Sequence, residues 1–241
     1  MHMGWYVIRW FCHFDDDNYV NVPRLLEILS NYNPQVDWYL GKPSIRTPLE
    51  ILNKEYQNIS KIKPNISFWF ATGGAGFCLS KSLALKMVSI AGGGKFMSIG
   101  EKIRLPDDVT MGYIIEYLLG KPLTVIKEFH SHLEPMKFLQ QDTFHKQITF
   151  SYSYYGKDEV NTVKIDGFDI NTDPTRLVSH SCFDYVGGDL QDGFKEMYRI
   201  DLEKGFYARN SRKEVDLIRD TTFLILSWIF KRERKNTPIY E

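Results

Sequence analysis

The stretch Trp10-Phe11-Cys12-His13-Phe14-Asp15-Asp16-Asp17-Asn18-Tyr19-Val20 decides how the rest of the chain is read. An aromatic, apolar run that starts at Trp5 stops abruptly at three adjacent carboxylates. Trp5 to Phe14 is rich in aromatic and β-branched residues and reads as a buried strand. Three like charges side by side repel one another, so a fold that keeps them together calls for a counter-charge. Hard oxygen ligands suit magnesium, calcium or manganese. In α/β sheets, ligands sit just beyond the carboxyl ends of strands, where this triplet lies. The competing reading is a solvated turn that also caps the next helix. A calcium loop of the EF-hand type fails on spacing: counted from Asp15, position six is Val20 rather than Gly, and position twelve is Leu26 rather than Glu.

Downstream, strands alternate with helices. Asn21 and Pro23 mark a helix start, with Leu25, Leu26, Ile28 and Leu29 as its buried stripe. Asp37 to Leu40 reads as a short strand ending at Gly41, and residues 46–65 as a polar surface loop. Ile66 to Ala71 is another aromatic strand, closed by Thr72-Gly73-Gly74-Ala75-Gly76. A helix over Lys81 to Ile90 leads to Gly92-Gly93-Gly94. Leu105-Pro106-Asp107-Asp108 opens a helix from Val109 to Leu119, which Gly120 and Pro122 terminate. Leu123 to Phe129 reads as a strand ending in His130-Ser131-His132. Ile148, Phe150, Tyr152 and Tyr154 alternate with Thr149, Ser151 and Ser153; with Val160 to Ile165 they predict an antiparallel hairpin with one wet face. The expected class is α/β with a mixed sheet.

The chain has 241 residues, enough for one substantial core, and 30 basic residues balance 30 acidic ones. That balance offers no electrostatic case for a nucleic-acid partner. Cys12, Cys78 and Cys182 stand at no zinc-ligand spacing. Asn58-Ile59-Ser60 and Asn65-Ile66-Ser67 are glycosylation acceptor triplets, which favour a secretory compartment weakly, and no signal peptide opens the chain. After Val186 the character changes. Residues 187–241 are expected to form a divergent tail, helical in part, with Thr222 to Phe230 too short an apolar run to span a bilayer of roughly 20 residues.

Several strand ends converge on one chemistry: the triplet, the glycine cluster, His132, and Asp107 with Asp108 at a helix start. A carboxylate–imidazole set with open positions suits manganese. Each part also has a plainer reading. The glycine loop lacks both the P-loop ending and the dinucleotide fingerprint and serves as a tight turn. Asp107 or Asp108 serves as an N-cap, and His132 as a hydrogen-bonded core residue.

The ordered motifs carry a resemblance. Residues 10–21, Tyr39-Leu40-Gly41-Lys42-Pro43-Ser44, Phe68 to Cys78, Ile103 to Asp108 and Phe129 to Glu134 closely resemble the Fringe glycosyltransferases. The likeness runs from about Arg9 to Val186, so residues 1–186 are expected to form a Fringe-like catalytic domain. It implies a GT-A fold and inverting, β-1,3 transfer of GlcNAc from UDP-GlcNAc to O-linked fucose on EGF-like repeats of Notch-type proteins. It further implies manganese held by Asp17 and His132, donor contacts from Asp16 with Asp15, Asp108 as catalytic base, and a Cys12–Cys78 disulfide. The implied location is the Golgi lumen, as a type II membrane protein in the family, with the signal-anchor expected to be absent from this chain. Against the family pattern, the amino-terminal nucleotide-binding half is expected to be missing and the tail foreign, so this chain alone is expected to transfer poorly. Two other classes stay open: a non-catalytic pseudoenzyme or fragment, and a lumenal glycan-binding module, against which Asp108 speaks.

Overall fold

The computed structural model describes residues 8–52, 65–155, 159–166, 173, 174 and 176. The strands are β1 (Trp10–His13), β2 (Asn18–Val20), β3 (Tyr39–Gly41), β4 (Leu49–Leu52), β5 (Asn65–Phe68), β6 (Phe77–Ser80), β7 (Leu123–Val125), β8 (Thr149–Ser151), β9 (Ser153–Tyr155) and β10 (Glu159–Asn161). The α-helices are α1 (Val22–Ser30), α2 (Lys81–Ala91), α3 (Lys95–Ile103) and α4 (Asp107–Gly112). A mixed sheet runs in the order β1-β6-β3-β7, antiparallel except for the parallel pair β3–β7. The fold is thus α/β with a mixed sheet, as the alternation of elements implies.

Side-chain alternation divides the core into two layers. Phe11, Tyr39, Phe77 and Leu79 point to one face and pack with Leu83, Met87, Phe96, Met111, Ile114 and Ile115 from the helical side. Leu40 and Cys78, with the partly buried Trp10 and Cys12, point to the other, where Leu25, Ile28 and Leu29 of α1 meet Phe129 and Ile148. Each fully buried aliphatic or aromatic side chain of this kind contributes about 1.5–3 kcal/mol. The stripe of α1 is narrower than its sequence implies, because Leu26 is 49% exposed. Asn21 caps that helix by accepting from the Arg24 N–H at 3.1 Å, so the acidic triplet is not its cap.

Several expectations need correction. The segment 46–65 is not all loop: Leu49–Leu52 pairs antiparallel with Asn65–Phe68, and Leu49 and Ile51 pack beside Ile66 and Phe68. The strand expected to reach Ala71 ends at Phe68, because the Ala71 N–H turns to the Tyr39 hydroxyl at 2.8 Å and the Thr72 N–H to the Lys42 carbonyl at 3.0 Å. Likewise β7 stops at Val125, short of Phe129. Helix α3 follows Gly94, which begins it in the left-handed region with φ 84°; the glycine run hid this helix. The helix expected over Val109 to Leu119 starts at Asp107 and continues from α4 as a π-helical turn over Tyr113–Leu118, closed by Gly120 at φ 64°.

The expected long hairpin is split. Thr149–Ser151 pairs with Asn18–Val20, and only Ser153–Tyr155 pairs with Glu159–Asn161. Its polarity is not the simple alternation expected. Thr149 and Ser151 are buried along with Ile148 and Phe150, whereas Tyr154 and Tyr155 are exposed. Thr149 is drawn inward because its hydroxyl donates to the Ala75 carbonyl and accepts from the His130 N–H, both at 2.8 Å. Among the described residues no helix is long and apolar enough to cross a membrane. The expected tail, residues 187–241, and the triplet at Asn58 lie outside the described residues.

Candidate active site

The acidic triplet sits in a tight turn between β1 and β2, closed by the Asn18 N–H donating to the Asp15 carbonyl at 3.2 Å. Because β2 is paired with β8, both ends of this turn are anchored. The three carboxylates take different surroundings. Asp15 Oδ1 lies 3.0 Å from His13 Nε2, and that hydrogen bond holds its pKa below the ordinary carboxylate value. Asp16 is exposed. Asp17 Oδ2 lies 3.0 Å from His132 Nδ1.

The approach of Asp17 to His132 has the length of an ion pair but not the direction of a hydrogen bond. His132 Nδ1 and Asp17 Oδ1 are both buried atoms without a hydrogen-bond partner. Buried polar atoms are nearly always satisfied, so an orphaned carboxylate oxygen and an orphaned imidazole nitrogen on two residues in contact mark a place for a third partner. A carboxylate oxygen and an imidazole nitrogen at this separation suit two adjacent ligands of one divalent cation. Among the described residues no group of three or more His, Cys, Asp or Glu is arranged to hold an ion. The remaining ligands of a cation here would be water or substrate oxygens.

The glycine loop explains why these groups can meet. Gly73–Ala75 forms a single 3₁₀ turn. A Cβ on Gly74 would stand 3.1 Å from His132 Cε1, and one on Gly73 would stand 3.5 Å from Asp108 Cβ and 4.0 Å from His13 Nε2. Gly76 has φ 83°, and a Cβ there would strike Phe14 Cδ1 at 2.5 Å. The loop is therefore a tight turn and also the shared floor under His132, His13 and Asp108.

Asp108 is half-buried, in the first turn of α4. Its Oδ2 accepts from the Gly73 N–H at 3.1 Å and its Oδ1 from the Val109 N–H at 2.8 Å. Burial raises its pKa, helped by neighbouring Asp107, and outweighs the two hydrogen bonds. Asp107 is exposed, and neither carboxylate caps the helix, whose N-cap is Pro106. A carboxylate with a raised pKa, held in place by one backbone N–H on each oxygen, suits proton abstraction.

The hydrogen-bonded core histidine of this region is His130, not His132. His130 Nε2 meets Gln147 Oε1 at 2.9 Å and Nδ1 meets Glu134 Oε2 at 3.3 Å, while Lys42 donates to the same Glu134 oxygen at 2.7 Å. Sequence reading missed His13, His130, Lys42 and Glu134 as supporting residues, although all four lie inside the motifs that carry the resemblance. Tyr152 follows β8 close to the triplet: burial, then Tyr154, then the charges of Asp17 and Asp16 push its phenol pKa up. Cys12 and Cys78 face each other across β1 and β6 and form a disulfide, with 4.1 Å between Cα atoms.

A family model described as Fringe-like matches residues 3–187. The chain is similar to the Fringe glycosyltransferase of Drosophila melanogaster, 64% identical over 174 residues, which are 72% of this chain and 42% of that protein. It is also similar to the β-1,3-N-acetylglucosaminyltransferase lunatic fringe of Danio rerio, 50% identical over 178 residues, 73% of this chain and 46% of that protein. The human protein of that name is 48% identical over the same length and shares. The chain spans less than half the length of these curated relatives.

Proposed function

The chain belongs to the Fringe-like family, and on that premise we propose that it performs β-1,3-N-acetylglucosaminyl transfer on a GT-A-type fold. The donor is UDP-GlcNAc, and the acceptor is O-linked fucose on EGF-like repeats of Notch-type proteins in the Golgi lumen. The observation that carries this reading is the Gly73-Gly74 turn. It sets the proton-abstracting carboxylate of Asp108 on one side and the Asp17–His132 pair on the other. The names of the relatives and the Cys12–Cys78 disulfide, which suits an oxidising compartment, support it.

Asp108 takes the proton from the acceptor hydroxyl, and its raised pKa makes it the stronger base for that step. The freed oxygen forms a bond to the anomeric carbon as the bond to the diphosphate oxygen breaks on the opposite face, so the configuration inverts. Manganese, held by Asp17 and His132, would neutralise charge on the departing diphosphate. Asp16 is exposed beside Asp17 and available to the donor, and Asp15, held by His13, adds negative charge at the same edge.

The test is transfer from UDP-GlcNAc to an O-fucosylated EGF repeat. Asp108→Asn should lower turnover by roughly 10²–10⁴-fold with donor affinity nearly unchanged. The acid limb of the wild-type profile should lie above the ordinary aspartate value of 3.8 and vanish in the variant. Donor binding without transfer by the wild type would favour a non-catalytic member of the family. Glycan binding with no affinity for the donor would favour a binding module.

A further inference from the structure

We propose that Asn161 is a positioning residue for His132: its carboxamide, reaching out of β10, fixes the backbone that presents the imidazole to Asp17. The inference rests on the reading that Asp17 and His132 hold a divalent ion. His132 lies in a turn that belongs to no helix or strand, so no ladder of backbone hydrogen bonds sets its place. Within itself the turn has one backbone–backbone bond among the described residues, from the Glu134 N–H to the Ser131 carbonyl at 3.0 Å, and two longer bonds to side chains, from the Leu133 N–H to Ser131 Oγ at 3.3 Å and from the Ser131 N–H to Glu134 Oε1 at 3.4 Å.

Asn161 supplies what the ladder does not. Its Nδ2 donates to the His132 carbonyl at 2.9 Å and to the Glu134 carbonyl at 2.8 Å. Its Oδ1 accepts from the Met136 N–H at 3.0 Å. Both amide protons and the carbonyl of one side chain, 6% exposed, are spent on residues 132–136. The backbone of Asn161 is itself in register with Ser153 across β9. Thr149 holds the near flank, through His130 N–H, and ties it to the glycine loop at Ala75. Asn161 holds the far flank. A carboxamide is the group that offers two donors and an acceptor from one buried stem; a carboxylate of the same shape has no donor and would push the two carbonyls away. The imidazole takes no hydrogen bond that would orient its Nδ1, so the aim of this ligand depends on the backbone beneath it. Residues that orient a metal ligand typically change metal affinity by about 10–100-fold when replaced.

The test uses the full chain with Mn²⁺ alone as probe, in wild type, Asn161→Asp, Asn161→Ala and His132→Ala. Free Mn²⁺ is read by electron paramagnetic resonance, imidazole ligation by the nitrogen modulation of the bound ion's spin echo, and folding by thermal melts. Asn161→Asp keeps the shape and the acceptor for Met136, so it decides the matter if Asn161→Ala does not fold. The expected result is a roughly 10–100-fold loss of Mn²⁺ affinity in folded Asn161→Asp, with weakened nitrogen modulation as in His132→Ala. A lowered melting temperature with affinity and modulation unchanged would make Asn161 a structural staple only and overturn the proposal, leaving the ion-site reading intact if His132→Ala still loses affinity. Binding unaffected by His132→Ala, or no binding by the wild type, would overturn the ion-site reading itself and this proposal with it.

Discussion

At Gly74 the missing side chain matters more than any backbone freedom. Its φ is not in the left-handed region, yet a Cβ there would press on His132 Cε1 at 3.1 Å and Nδ1 at 3.4 Å. Gly73, one residue earlier, would meet Asp108 Cβ at an ordinary 3.5 Å. Gly74→Ala should therefore displace the imidazole by a few tenths of an ångström and weaken Mn²⁺ binding by roughly tenfold, the low end for disturbing a ligand's support. Gly73→Ala should leave Mn²⁺ affinity within about twofold, since it faces Asp108 rather than a metal ligand. Isothermal titration of both variants separates them, and equal losses in the two would show that the turn, not the contact, sets the affinity. The residue types at this site were legible in the sequence because three adjacent carboxylates have no place in a core. The supporting residues were not. Lys42, Glu134 and Asn161 look like ordinary surface polar residues until the fold brings them under the histidines.

Strands β1 and β6 are the elements that hold the two halves of the site together. β1 leads into the acidic turn and β6 leads away from the glycine loop, and Cys12 and Cys78 are directly opposed in their ladder. The bridge closes a separation of 66 residues. Replacing both cysteines with serine should cost about 2–4 kcal/mol of unfolding free energy, read from urea denaturation of oxidised protein. A change well under 1 kcal/mol would mean that the reduced unfolded chain already keeps these segments close, so that the bridge removes little of its entropy. Element types were mostly readable from periodicity, whereas their ends were not. β5 gives out at Phe68 because the N–H groups of Trp69, Ala71 and Thr72 serve Glu116, Tyr39 and Lys42, partners distant in sequence. Gly112 sits inside a helical pattern for a reason that only packing shows: a Cβ there would meet Phe70 Cβ at 2.3 Å, so α4 could not lie against that segment.

For the molecule as a whole, acid stability should depend on the network behind the site. Burial acts to raise the Glu134 pKa, but hydrogen bonds from His130 and Lys42 prevail and lower it from 4.5 to about 2. A carboxylate with a depressed folded pKa contributes stability that is present above its unfolded pKa and lost as pH falls through its folded one. Thermal melts of wild type should therefore lose stability between pH 4.5 and 2 in a way that Glu134→Gln does not, the two curves converging near pH 2. A constant gap across that range would remove Glu134 from the acid response. The α/β class and the presence of a carboxylate triplet, a glycine cluster and a histidine pair were determined by the sequence alone, since alternation and charge clustering are local properties of the chain. Which strand pairs with which was decided only by tertiary structure. Thr149–Ser151 leaves its expected hairpin for β2 because the Thr149 hydroxyl is satisfied there, against the glycine loop and His130, and Phe150 is buried in the Phe144 cluster. That long-range choice fixes the turn carrying Asp17 in place, and no period in the sequence encodes it.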